Sequence, residues 1–166
     1  LLNGENQTGL TTFLIKNKVD TGDMLLQKSF FIDKSITTGE VLEKLSHLGS
    51  NLILKTLDML SNNTIKPVKQ DDRSATFAPK IRVSDCKINW NNSSENIHNQ
   101  IRAFSPQPGA FTFYRNKRVK LFGSTIANIE CDIDLQPGYI NYKRSMLQIG
   151  TGTKPININY IQIEGK

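Results

Sequence analysis

The apolar positions of this 166-residue chain change their period along its length. Residues 10–15 (Leu10, Thr11, Thr12, Phe13, Leu14, Ile15) form a β-branched and apolar run, and residues 24–32 form a second, so both read as strands. Thr37-Thr38-Gly39-Glu40 has the spacing of a capping box and opens a long helix to about Leu60. Val41, Leu42, Leu45, Leu48, Leu52, Leu57 and Leu60 recur at three- and four-residue steps and predict one wide apolar face. Gly49 lies inside this helix, costs about 1 kcal/mol relative to Ala and permits a bend. A second helix is predicted from about Ser93, with Ile97, Ile101 and Phe104 at helical spacing, until Pro106 and Pro108 stop it. Beyond Ala110 only short strands are predicted. Residues 111–114 and 119–122 flank a turn at Arg115-Asn116-Lys117-Arg118, and further strands fall at 124–130, 139–141, 146–149 and 156–163. Asp134, Gly138, Gly150 and Gly152 mark the turns.

Two strands and one helix do not bury enough surface to stand alone. Residues 1–65 are therefore expected to be the closing part of an α/β domain whose earlier strands are missing. Residues 66–80 read as a polar linker, with Pro67, Pro79 and the charged Asp71-Asp72-Arg73. Residues 81–166, with five or six short strands and one helix, are expected to form a small antiparallel β-barrel of OB-like type.

Composition is that of a globular protein, with 37% hydrophobic and 22% charged residues. No apolar run approaches the ~18 residues of a transmembrane span. The start, Leu1-Leu2-Asn3-Gly4, carries neither an initiator Met nor a signal-peptide core and reads as the middle of a protein. Cys86 and Cys131 are far apart and lack CxxC spacing, and His47 and His98 are too separated for a metal cluster, so no metal site is expected. Plain thiols and a helix-surface role for His98 are expected instead. The net charge of +6 is uneven: residues 1–80 carry 10 basic against 9 acidic groups, residues 81–166 carry 11 against 6. Such a bias suits a polyanion facing the second half, although a mildly basic surface has the same composition.

The candidate chemistry sits between the first two strands, at Lys18-Val19-Asp20-Thr21-Gly22-Asp23. Two carboxylates three positions apart flank Gly22, which permits close backbone approach. On spacing alone Asp20 reads as a turn former before it reads as a catalyst. An aspartic-protease reading of Asp20-Thr21-Gly22 fails because that chemistry needs two such carboxylates sharing a proton, and the chain has one.

Longer stretches carry a resemblance. Thr8-Gly9-Leu10-Thr11, Val19-Asp20-Thr21-Gly22-Asp23-Met24-Leu25, Leu45-Ser46-His47-Leu48-Gly49 and Ala75-Thr76-Phe77-Ala78-Pro79-Lys80 are similar to ordered motifs of the methionyl-tRNA formyltransferase family. So are Lys87-Ile88-Asn89-Trp90, the run from Ile101 to Ala110, Gln136-Pro137-Gly138 and the close from Ile161 to Lys166. Gln107 stands where that family usually has Trp, and Phe77 where it has Tyr.

The resemblance implies a Rossmann-like formyltransferase domain followed by a β-barrel domain. It implies a formyl group passed from 10-formyltetrahydrofolate to the amino group of initiator methionyl-tRNA, in the cytoplasm, by an enzyme that is monomeric at full length. Asp20 matches the Asp of the family's Asn, His and Asp catalytic set. The other two belong to upstream sequence, so this stretch alone is expected to be inactive. Lys18, Val19, Asp20, Gly22 and Asp23 are implied to line the folate site. Lys80, Arg82, Arg102, Arg115, Lys117, Arg118, Lys120, Lys143 and Arg144 are the expected tRNA-facing cations. Phe111, Phe113 and Phe122 are expected in the barrel core. Sugar-nucleotide formyltransferases share the turn and a similar second domain, and a non-catalytic RNA-binding barrel remains the alternative for these residues.

Overall fold

A computed structural model describes residues 1–127, 135–143 and 145–165, and the chain divides into two compact units. One unit comprises residues 7–32 and 41–80. The other comprises residues 1–6, 33–40 and 81–166.

In the first unit β1 (Gln7–Phe13) and β2 (Met24–Phe31) pair antiparallel from Gln7↔Phe31 to Thr12↔Leu26, with a bulge before Phe13↔Met24. The helix α1 (Thr38–Ser61) runs unbroken through Gly49. Its start is the expected capping box: the Thr37 N–H donates to Glu40 Oε2 at 2.8 Å. Only part of the predicted apolar face is covered within this chain, with Leu45, Leu48 and Leu60 half-buried. Val41, Leu52 and Thr56 are buried while Leu42 and Leu57 are exposed. The buried face includes Thr56, whose hydroxyl meets Thr12 Oγ1 at 2.9 Å and donates to the Leu52 carbonyl at 2.7 Å. A threonine thus fills a place that hydrophobicity alone assigns to leucine.

In the second unit α2 (Ser94–Ala103) is capped by Ser93 Oγ, which accepts from the Asn96 N–H. Five strands follow: β3 (Ala110–Tyr114), β4 (Lys117–Ile126), β5 (Ile140–Lys143), β6 (Met146–Ile149) and β7 (Ile156–Ile163). They form one antiparallel sheet in the order β3-β4-β7-β6-β5. Ile97 and Ile101 of α2, with Phe104 at its C-cap, pack with Ala110, Leu121, Ile149 and Ile156 as the core.

Three expectations change here. The β3–β4 turn has two residues, Arg115 and Asn116 at φ 48° and 64°, and not four. Positive φ at both positions matches the right-handed twist of the strands, so Lys117 and Arg118 become strand residues. Residues 119–122 and 124–126 are one strand, β4, which turns at Gly123 (φ 59°). His98 does not lie free on its helix: its ring bonds Ser124 Oγ at 2.9 Å and the Lys34 carbonyl at 2.8 Å. The strand expected beyond residue 127, Cys131, the Asp134 turn, Arg144 and Lys166 lie outside the described residues.

Candidate functional site

The loop joining β1 to β2 is held by close backbone packing. The Leu14 N–H donates to the Asp23 carbonyl at 3.0 Å, and a Cβ on Gly22 would lie 1.5 Å from the Leu14 carbonyl oxygen. Only glycine fits there. Thr21 Oγ1 donates to the Lys18 carbonyl at 3.0 Å. Lys16 Nζ pairs with Asp23 Oδ1 at 2.7 Å, which commits the second carboxylate of the turn to bracing the loop.

Asp20 is placed differently. Its backbone sits at φ 56°, in the left-handed region that costs a non-glycine residue about 1–2 kcal/mol. Its carboxylate is exposed and has no partner among the described residues. Lys18 and Val19 beside it are also exposed, Val19 to 86%. Gln70 holds the turn in this shape, its Nε2 donating to the carbonyls of Asp20 (2.9 Å) and Gly22 (2.6 Å). Met24 and Val68 exchange backbone bonds of 2.7 and 2.8 Å, which brings the 66–80 segment alongside. Neither Gln70 nor Lys16 was anticipated, since nothing in a polar linker marks one glutamine as a clamp. The arrangement presents one solvent-facing carboxylate on a braced tip, suited to holding a cationic partner or taking a proton.

The second candidate is basic. Arg115, Lys117, Arg118 and Lys120 share the β3–β4 hairpin. The Arg118 guanidinium lies 5.0 Å from the Phe111 ring centre, and Arg115 lies 5.3 Å from that of Tyr114. Lys87, absent from the expected set, sits 5.7 Å from the Phe113 ring. Phe111 is buried as expected, but Phe113 is 53% exposed and Phe122 is only half-buried. Phe113 shares a cross-strand row with Arg118, so both stand on the same face of the sheet.

Lys80 and Arg82 are exposed, the latter capping a short 3₁₀ turn as its N–H donates to Asp85 Oδ2 at 2.8 Å. Lys143 lies in β5, and its side chain and Arg144 are outside the described residues. Arg102 belongs elsewhere: it is 5% exposed and bonds Asn99 Oδ1 (2.9 Å), the Asp33 carbonyl (3.5 Å) and the Leu1 carbonyl (3.4 Å). Burial draws its pKa below the usual guanidinium range, with the charge of Asp33 acting the other way. Three of its five N–H donors are spent on these inward bonds and the residue is nearly buried, so little of the guanidinium is open to a phosphate.

Among the described residues no group of three or more His, Cys, Asp or Glu side chains is placed to hold a metal ion, and no helix is long and apolar enough to cross a membrane. Cys86 is buried, and burial raises its thiol pKa.

Residues 1–57 match the family described as Formyl transferase, and residues 80–166 match Formyl transferase, C-terminal domain. The methionyl-tRNA formyltransferase of Alkaliphilus oremlandii is 36% identical over 167 residues, covering 100% of this chain and 53% of the relative. This chain thus spans about half the length of the curated relatives it matches. An N-formyltransferase from Helicobacter canadensis, solved with folinic acid and dTDP-3-aminofucose, is 26% identical with a TM-score of 0.74, covering 95% of this chain and 57% of that one. HypX from Aquifex aeolicus, solved with tetrahydrofolic acid, has the same fold at 19% identity and a TM-score of 0.76, over 99% of this chain and 29% of that one.

Proposed function

This chain belongs to the formyl transferase family, and we propose that it is part of a methionyl-tRNA formyltransferase, carrying formyl groups from 10-formyltetrahydrofolate to the amine of initiator methionyl-tRNA. The observation that carries this reading is similarity along the whole chain to curated relatives of that name. In this reading residues 1–65 belong to the catalytic domain, 66–80 connect, and 81–166 form an OB-like domain that holds tRNA. The enzyme works as a cytoplasmic monomer.

Amine attack on a formyl carbon builds an oxyanion and releases a proton, so the site needs hydrogen-bond donors and a proton acceptor. Asp20 supplies the carboxylate, held outward on the braced turn. It fixes a protonated imidazole by a charge-assisted bond and relays the proton of the attacking amine. We assign that imidazole, and the Asn that donates to the oxyanion, to the length of the relatives that this chain does not span. The exposed Val19 side chain and the backbone of Lys18, Asp20, Gly22 and Asp23 fit one wall of a folate pocket. The co-substrate brings the activated formyl group. Lys80, Arg82, Arg115, Lys117, Arg118 and Lys120 contact tRNA phosphates, with Lys143 and Arg144 retained from the sequence; Arg102 supports the fold.

The test is formylation by the full-length protein, with and without Asp20→Asn. Asp20→Asn is expected to lower kcat about 10²–10⁴-fold while tRNA affinity holds. Formylation of an amino-sugar nucleotide in preference to methionyl-tRNA would overturn the substrate assignment.

A further inference from the structure

One feature of the basic face is not explained by phosphate binding. A depression of about 220 Å³ is lined by Arg118, Lys120, Gln162, Ile163, Glu164 and Gly165. It is smaller than the ~300–1,000 Å³ of sites for drug-sized ligands, and so suits a single ring system. Two cross-strand rows run through it, Lys120 and Gln162 with Phe111 beyond Lys120 in one, Arg118 with Phe113 beyond it in the other; neither phenylalanine lines the depression itself, and the Glu164 N–H donates to the Arg118 carbonyl at 2.9 Å. The ring of Phe113 meets that of Phe111 edge-on, 5.7 Å between centres at 90°. Glu164 is the anomaly. Its Oε2 accepts a 3.4 Å bond from the Arg118 N–H, and its carboxylate makes no ion pair among the described residues. A carboxylate repels phosphate, yet it accepts well from the N–H groups on a base edge.

We propose that this depression takes one unpaired nucleobase bearing an exocyclic amine, beside the phosphates held by Arg118 and Lys120. Phe113 stacks against the nucleotide, as exposed aromatic rings beside cations do for single-stranded RNA. Glu164 accepts from the amine and Gln162 bonds the adjoining ring atoms. Cytosine meets this pattern with its N4 amine, whereas uracil presents an acceptor at the same place. The inference rests on the RNA-binding reading of this face and adds a base preference to it.

The experiment measures binding of the full-length protein to the oligoribonucleotides C8 and U8 and to unfractionated tRNA, at two salt concentrations. C8 is expected to bind about tenfold more tightly than U8, the size of one good base contact. Glu164→Gln is expected to bring C8 and U8 within twofold of each other. Phe113→Ala is expected to weaken both about fivefold or more without changing the salt dependence. Equal affinity of the unaltered chain for C8 and U8, with salt-sensitive tRNA binding intact, overturns the base pocket alone. A preference for C8 that survives Glu164→Gln overturns it too. Failure to bind any of these RNAs overturns both the pocket and the RNA-binding reading.

Discussion

Gln70 holds Asp20 from behind. The side-chain amide of a residue fifty positions later donates to the carbonyls on either side of Thr21, at 2.9 Å to Asp20 and 2.6 Å to Gly22. The carboxylate of Asp20 therefore points outward from a backbone that something else keeps left-handed. Gln70→Ala is expected to cost about 1 kcal/mol of stability, because the freed Asp20 carbonyl can turn to water. In the full-length enzyme it is expected to lower kcat tenfold or more, since a small displacement of a reacting group is costly. The KM for tRNA should stay in place. Gln70→Glu, which cannot donate, should behave like the alanine variant, and steady-state kinetics of both would show it.

Two glycines make a paired prediction. A methyl group on Gly22 would strike the Leu14 carbonyl oxygen at 1.5 Å, whereas one on Gly49 would meet only Leu10 Cδ1 at an ordinary 3.5 Å. Gly22→Ala is expected to lose at least ~3 kcal/mol, the upper end of overpacking. Gly49→Ala is expected to gain up to about 1 kcal/mol from helix propensity. Urea midpoints of the two variants should move in opposite directions.

What could be read from residue order was whatever is local. The capping box at Thr37 and Glu40, the start of the second helix near Ser93 and its stop before Pro106 all depend on a few neighbouring residues, and all are present. The hairpin was misjudged because polarity does not separate a turn from the outer face of a strand. Lys117 and Arg118 are polar for the second reason, and the twist of β3 and β4 decides between the two. Gln70 and Arg102 could not be read at all. Apart from Asn99, three residues before Arg102, their partners lie 48 to 50 and 69 to 101 residues away and are backbone carbonyls, which leave no mark on residue type.

Acid should loosen the start of α2. The Glu95 carboxyl is held below its ordinary pKa, first by the backbone N–H of Glu95 itself, then by the hydroxyls of Ser94 and Ser93, with partial burial opposing. A depressed carboxyl contributes stability that is present above its unfolded value and lost as the pH falls through its folded one. Thermal melts of the native chain should therefore decline as the pH drops past the ordinary glutamate range. Glu95→Gln should start less stable at neutral pH and decline less across that window.

Arg102 and the hairpin cations separate folding from RNA binding. Arg102 gives three donors to Asn99 and to two carbonyls from a nearly buried position, so Arg102→Ala removes those bonds together with the packing of its stem. A loss of about 2–3 kcal/mol is expected, the range for bonds to charged groups. Lys117 is solvent-exposed, and the guanidinium of Arg118 lies over Phe111. Lys117→Ala combined with Arg118→Met trades the cation over that ring for an apolar side chain of similar length and should change stability by no more than ~1 kcal/mol. Counterion release then gives opposite patterns in the two proteins. The double variant should lose roughly 1.4–1.8 from the slope of log affinity for tRNA against log salt, as removal of two phosphate contacts requires. Arg102→Ala should keep the full slope under conditions where it remains folded. If Arg102→Ala instead lowered the slope while its melting temperature stayed unchanged, the arginine would have to be reaching phosphate, and its inward placement in the free chain would not be the one that binds RNA.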